Sequence, residues 1–124
     1  MDRIEHEPTS KTPYVLLDPK GRIKFRGRSI PEDVSLFYDG ILNWVQTYRN
    51  AAAPYTEVDI EMEYLNSGTS KYMLKILKVI KDIDVKGKEL KINWIYEEGD
   101  DDIMERGEYY ASILDLKIKF IEIE

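Results

Sequence analysis

No cysteine occurs in the 124 residues. Disulfides, thiol nucleophiles and cysteine zinc sites are thereby excluded, and the composition suits a reducing compartment. Histidine appears once, at His6 in a polar N-terminal stretch, which gives no basis for histidine catalysis or metal ligation. No apolar run approaches the roughly 20 residues that span a bilayer, and the segment Met1–Pro8 lacks the apolar centre of a signal peptide. A cytoplasmic location is expected. Excess positive charge is missing too: 18 Lys and Arg stand against 24 Asp and Glu, for a net charge of -6. Neither a phosphate backbone nor an anionic membrane surface is an expected partner. The seven glycines form no phosphate-cradling loop; Gly87-Lys88 ends a helix. No nucleophile–base pair or metal-ligand spacing is visible. A non-enzymatic protein with no cofactor and no metal is expected.

What is present describes one globular domain, with 43% hydrophobic and 34% charged residues. Residues 1–12 read as a flexible tail and 13–124 as a single domain. Tyr14-Val15-Leu16-Leu17, the turn Asp18-Pro19-Lys20-Gly21 and the alternating Arg22–Arg26 predict a β-hairpin. Ser29-Ile30-Pro31-Glu32 has the spacing of a capping box with Pro in the first turn, opening a helix whose apolar face carries Val34, Phe37, Tyr38, Ile41, Val45 and Tyr48. Glu57–Tyr64 is the clearest strand, with four acids alternating with apolar residues. A second helix is expected from about Ser70 to Ile83. Leu90–Tyr96 is a further strand, Ile103–Leu114 a third helix, and Leu116–Ile121 the last strand. Trp44 and Trp94 fall in apolar patterns and are expected in the core.

The order ββαβαβαβ predicts an α/β fold with a single mixed five-stranded sheet. Strand–helix–strand units make parallel pairs by right-handed crossovers. Strands covered on both faces would be continuously apolar; three of these alternate instead, so all helices are expected on one face with the other face wet. On that wet face Arg22, Lys24 and Arg26 are basic, as are Lys91, Lys117 and Lys119, whereas strand 57–63 is acidic. Opposite charges across neighbouring strands help by roughly 0.2–1 kcal/mol each. The acidic strand is therefore expected between strand 22–26 and strand 90–96.

The functional candidate is the junction Tyr64-Leu65-Asn66-Ser67-Gly68-Thr69-Ser70-Lys71, where the acidic strand meets the second helix. A hydroxyl there suits an N-cap, and equally suits an added anion at the positive end of the helix dipole. The loop Glu97–Asp102 leaves the neighbouring strand at the same sheet edge, so the two should lie side by side. Its acids complement a helix start; a divalent cation held there, in a small metal-dependent enzyme, is the sharper alternative. Lys71, Lys75, Lys78 and Lys81 recur on one side of the second helix, with Tyr72 at their edge, as a solvated face or as a docking stripe for an acidic partner.

The segments Arg26-Gly27-Arg28-Ser29-Ile30-Pro31-Glu32-Asp33, Tyr64–Lys71 and Asn93-Trp94-Ile95-Tyr96-Glu97-Glu98 resemble the SiaC family of bacterial regulatory phosphoproteins, over about residues 10–121. The layout is also similar to the STAS-type anti-sigma-factor antagonists, which carry a phosphorylatable Ser or Thr at a strand-to-helix junction. The resemblance implies a switch. A Ser/Thr kinase of the histidine-kinase-like ATPase fold phosphorylates the hydroxyl after the junction Asn, a cognate phosphatase reverses it, and the unmodified form binds a target such as a diguanylate cyclase. By position the phosphorylated residue is Ser67, with Thr69 a second candidate. From the junction loop and the lysine stripe, the expected partner-binding surface comprises Asn66, Ser70, Lys71, Tyr72, Lys75 and Lys78. The contrasting reading is an adaptor that is never modified.

Overall fold

The computed structural model describes residues 1–124. Its element order is β1 (Ile4–His6), β2 (Tyr14–Asp18), β3 (Arg22–Ser29), α1 (Val34–Asn50), β4 (Tyr55–Leu65), α2 (Ser67–Val85), β5 (Glu89–Glu97), α3 (Asp101–Leu114) and β6 (Lys119–Ile123). The strands lie in sequence order in one sheet. β1, β2 and β3 pair antiparallel, and β3 to β6 are parallel. This is the mixed α/β sheet expected from the alternation, with six strands rather than five.

The sixth strand comes from the segment read as a flexible tail. Ile4 to His6 pair with Val15 to Leu17, and the Trp44 indole N–H donates to the Asp2 carbonyl at 2.9 Å. His6 packs edge-on against Phe37. Three residues are too short a run to show as alternation, so nothing local marked them as a strand.

The period-2 pattern sets the sheet's two faces. Val15, Leu17, Ile23, Phe25, Val58, Ile60, Met62, Ile92 and Trp94 point into one buried core, which the apolar stripes of all three helices complete. Each fully buried Ile, Leu or Phe side chain contributes about 1.5–3 kcal/mol against its exposed state. Trp94 is closed over by α3: a Cβ on Gly107 would stand 2.7 Å from its ring, so only glycine lets the helix approach this closely. Both tryptophans are buried, as expected.

On the open face β4 lies between β3 and β5. Arg22, Lys24 and Arg26 stand opposite Glu57, Asp59 and Glu61, and Lys91 stands opposite Glu57 from the other side. Charge patterning thus fixed the neighbours of the acidic strand correctly. Two helix starts differ from expectation. α1 begins at Val34, capped by Asp33, whose carboxylate accepts from the Ser35 hydroxyl at 2.9 Å and the Leu36 N–H at 3.1 Å. Those bonds hold the Asp33 carboxyl below the usual carboxylate range. Ser29 is no cap; it ends β3 and is buried. No helix is long and apolar enough to cross a membrane.

Candidate functional site

β4 delivers its last residue, Leu65, to the C-terminal edge of the sheet, and the chain turns there into α2. Asn66 makes the turn in an extended conformation, and its side-chain oxygen accepts from the Thr69 N–H at 2.9 Å. Its backbone N–H reaches back to the Ser29 carbonyl at 3.0 Å, which ties the junction to the end of β3. The cap is therefore the asparagine and not a hydroxyl, and α2 starts at Ser67, about one turn before the expected Ser70. The reason is local. Once Asn66 caps, Ser67, Thr69 and Ser70 all fall within the first helical turn and are freed from capping.

Helical geometry then sends the three hydroxyls in different directions. Thr69 is 0% exposed. Its hydroxyl lies 2.8 Å from the Ser29 hydroxyl, which lies 2.7 Å from the Tyr38 phenol, and it donates to the Ser29 carbonyl at 3.3 Å. Burial pushes the Tyr38 phenol up to about 12. Ser70 turns the other way, toward α3. Its hydroxyl accepts from Arg106 Nη1 at 2.5 Å and sits 2.7 Å from the Tyr110 phenol, which also donates to the Ser70 carbonyl at 2.8 Å. Burial raises the Tyr110 phenol above its ordinary value. Ser67 is exposed, and its hydroxyl is the one of the three with no bonding partner.

Ser67 lies on the wall of a cleft of about 870 Å³ between the start of α2 and α3, together with Ser70, Lys71, Asp100, Arg106 and Tyr109. The junction and the acidic loop are thus neighbours, as their positions at one sheet edge required. The loop acids serve the third helix. Asp100 caps α3 by accepting from the Ile103 N–H at 3.1 Å, and Asp101 and Asp102 occupy its first turn, where they complement the dipole. No group of three or more His, Cys, Asp or Glu side chains comes together in an arrangement that could hold a metal ion.

The lysine stripe divides. Lys71, Lys75 and Lys78 are exposed. Lys81 instead donates to the Leu114 carbonyl at 2.6 Å, supplying a cation and a donor to the open end of α3. Lys75 lies 4.9 Å from the centre of the Tyr72 ring, and the Tyr72 phenol donates to Asp39 of α1 at 2.5 Å, which raises its pKa. Of the expected docking residues, Asn66, Ser70 and Tyr72 are engaged within the fold, and Lys71, Lys75 and Lys78 are presented to solvent. Sequence reasoning passed over Arg106 and the exposed ring of Tyr109, which flanks the cleft with Tyr64 of the junction. The available signal was Arg106 standing as a lone cation among Asp101, Asp102, Glu105 and Glu108.

Comparison with known proteins points one way. The family model described as SiaC family regulatory phosphoprotein matches residues 6–123. An uncharacterised protein of Pseudomonas aeruginosa is 25% identical over 103 residues, 82% of each chain. The crystal structure of apo-SiaC from Pseudomonas aeruginosa has a TM-score of 0.80 at 22% identity, covering all of both chains. The structure of the diguanylate cyclase SiaD in complex with its activator SiaC, from the same organism, matches with a TM-score of 0.87 at 22% identity, covering 97% of this chain and 99% of the matched one. At these identities the solved structures establish the fold.

Proposed function

The chain belongs to the SiaC family of regulatory phosphoproteins, so it is a regulator and not an enzyme, and from that premise we propose that it is a signalling switch whose modified residue is Ser67. The observation that carries this reading is the unequal fate of three hydroxyls in one helical turn. Thr69 is buried and bonded to Ser29, Ser70 is bonded to Arg106 and Tyr110, and Ser67 alone is exposed and unpartnered on the cleft wall. A kinase must reach the hydroxyl it modifies. Thr69 would have to leave the core first.

In this account the unmodified protein binds a diguanylate cyclase, by analogy with the Pseudomonas aeruginosa SiaC, which is described as the activator of SiaD. The docking surface is the start of α2, with Lys71, Lys75 and Lys78 as its cations and Tyr64 and Tyr109 as exposed rings at the cleft. A Ser/Thr kinase of the histidine-kinase-like ATPase fold adds phosphate at Ser67, and a cognate phosphatase removes it. The phosphate brings nearly two negative charges beside the acids Glu63, Asp100, Asp102 and Glu105, which changes the surface offered to the target. All of this takes place in the cytoplasm, where the cysteine-free composition fits.

The test is binding of the purified chain to the diguanylate cyclase of its own host. Ser67→Ala should bind as the unmodified protein does and stay bound in the presence of kinase and ATP, and Ser67→Asp should bind at least several-fold more weakly. Equal binding by both variants under both conditions would remove Ser67 from the switch.

A further inference from the structure

Arg106 is placed in a way that its own helix does not explain. Asp102 lies four residues before it on α3, the spacing at which an acid and a base on a helix commonly pair. Yet the guanidinium forms no ion pair and crosses to α2, where Nη1 donates to the Ser70 hydroxyl. Lys71, on the same cleft, also has no carboxylate within ion-pairing distance. Two cations, Lys71 on α2 and Arg106 on α3, therefore line the cleft without an ion pair, although Glu63, Asp100, Asp102 and Glu105 line the same cavity.

Both cations are within helical reach of Ser67. Ser70, which holds the Arg106 head, is three residues beyond Ser67, and Lys71 is four beyond; on a helix such positions are neighbours, with Cβ atoms about 5–6 Å apart. We propose that phosphate on Ser67 draws Arg106 off the Ser70 hydroxyl and is clamped between Arg106 and Lys71, fastening the first turn of α2 to α3 across the cleft. This rests on the reading of Ser67 as the modified residue and names what the modification does.

The chemistry favours the exchange. Arg106 gives up one neutral acceptor for a dianion that its planar fork grips with two parallel N–H bonds. Ser70 is not stranded, because the Tyr110 phenol stays bonded to it at 2.7 Å. The four carboxylates make the clamp conditional: a phosphate held by Arg106 is pulled in, and one that Arg106 does not hold is driven out. Phosphorylation then closes the cleft between Tyr64 and Tyr109 by pairing, in addition to any repulsion of a target.

The experiment installs phosphoserine at position 67 of the full chain by codon reassignment, and follows its second ionisation by ³¹P NMR. The ordinary value is about 6. A clamp of two cations should lower it by about one unit, and Arg106→Met should return it to 6 or above, since only the acids and Lys71 then remain. Lys71→Met should give a smaller rise, and Arg106→Lys should keep part of the lowering. An ordinary value in the otherwise unchanged chain would overturn the clamp. So would a lowering that survives both Arg106→Met and Lys71→Met, which would assign it to the helix-start amides. If Arg106→Met fails to fold, the unsubstituted chain and Lys71→Met still decide. Because the phosphate is installed without a kinase, failure here leaves the identity of the modified residue untouched. Absence of phosphate at Ser67 in cells would sink that identity while leaving this titration valid.

Discussion

The start of α2 is held from both sides by hydroxyl networks of similar make-up and different surroundings. On the α1 side, Thr69, Ser29 and Tyr38 form a chain of short bonds with every member fully buried. On the α3 side, Ser70, Tyr110 and Arg106 form a comparable chain, but Arg106 and Ser70 open onto the cleft. The first network sits where an unmade bond costs most, because no water can replace a lost partner. The second has water beside it and a cation that can be redirected. We read the α1 side as the fixed mount of the helix and the α3 side as the part that responds, with Ser67 on the responding side.

Charge placement should break the symmetry most sharply. Thr69→Asp puts an unpaired carboxylate into a fully buried site and should cost about 3–5 kcal/mol, enough to unfold a marginal domain. Ser67→Asp, two residues away, should change stability by no more than about 0.5 kcal/mol. Urea unfolding of the two variants measures both, and equal losses would mean that the two sides do not differ.

The alkaline limb should come next in size. The Tyr38 phenol is raised to about 12 by burial, against about 10 in an unfolded chain. Its folded value is the higher one, so its contribution is fully present below pH 10 and is lost as pH climbs from about 10 to about 12. A two-unit shift corresponds to about 2–3 kcal/mol over that window. Stability followed by denaturant melts between pH 9 and about 12 should fall less steeply in Tyr38→Phe. An unchanged slope would place Tyr38 in contact with water and weaken the contrast.

Removing single hydroxyls is a finer comparison. Tyr38→Phe leaves Ser29 short of a partner in the dry network and should cost about 1–3 kcal/mol at neutral pH, whereas Tyr110→Phe, beside the cleft, should cost about 1 kcal/mol. Ser67→Ala should be the smallest change of all, within about 0.5 kcal/mol in thermal or urea unfolding. A large loss on Ser67→Ala would mean that its hydroxyl has structural work and is not held free.

Much of the frame was legible because it follows from short-range patterns. The alternation of Val58, Ile60 and Met62 with Glu57, Asp59 and Glu61 gave both the strand and its face, and the basic residues at 22–26 and at 91 named its neighbours. Sharing of one sheet edge by the junction and the acidic loop followed from parallel topology alone. What stayed hidden depends on contacts between distant residues. Ser29 has the local spacing of a cap, yet its hydroxyl is used by Thr69, 40 positions away. Asn66 outcompeted three hydroxyls for the cap because its backbone is also anchored to Ser29. Which of Ser67 and Thr69 is reachable turned on burial against α1, where a Cβ on Gly68 would meet Val34 at 2.6 Å, and no pattern along the chain expresses that closeness. Arg106 was overlooked for the same reason: its bond to Ser70 spans 36 positions.

The most direct test of the account is site-resolved phosphopeptide mapping of the protein isolated from its host under several growth conditions. The account predicts phosphate on Ser67 in a fraction of molecules and none on Thr69 or Ser70. Phosphate on Thr69 of folded protein would contradict it, because that hydroxyl would then have to be accessible on the side of α2 assigned here to the fixed mount.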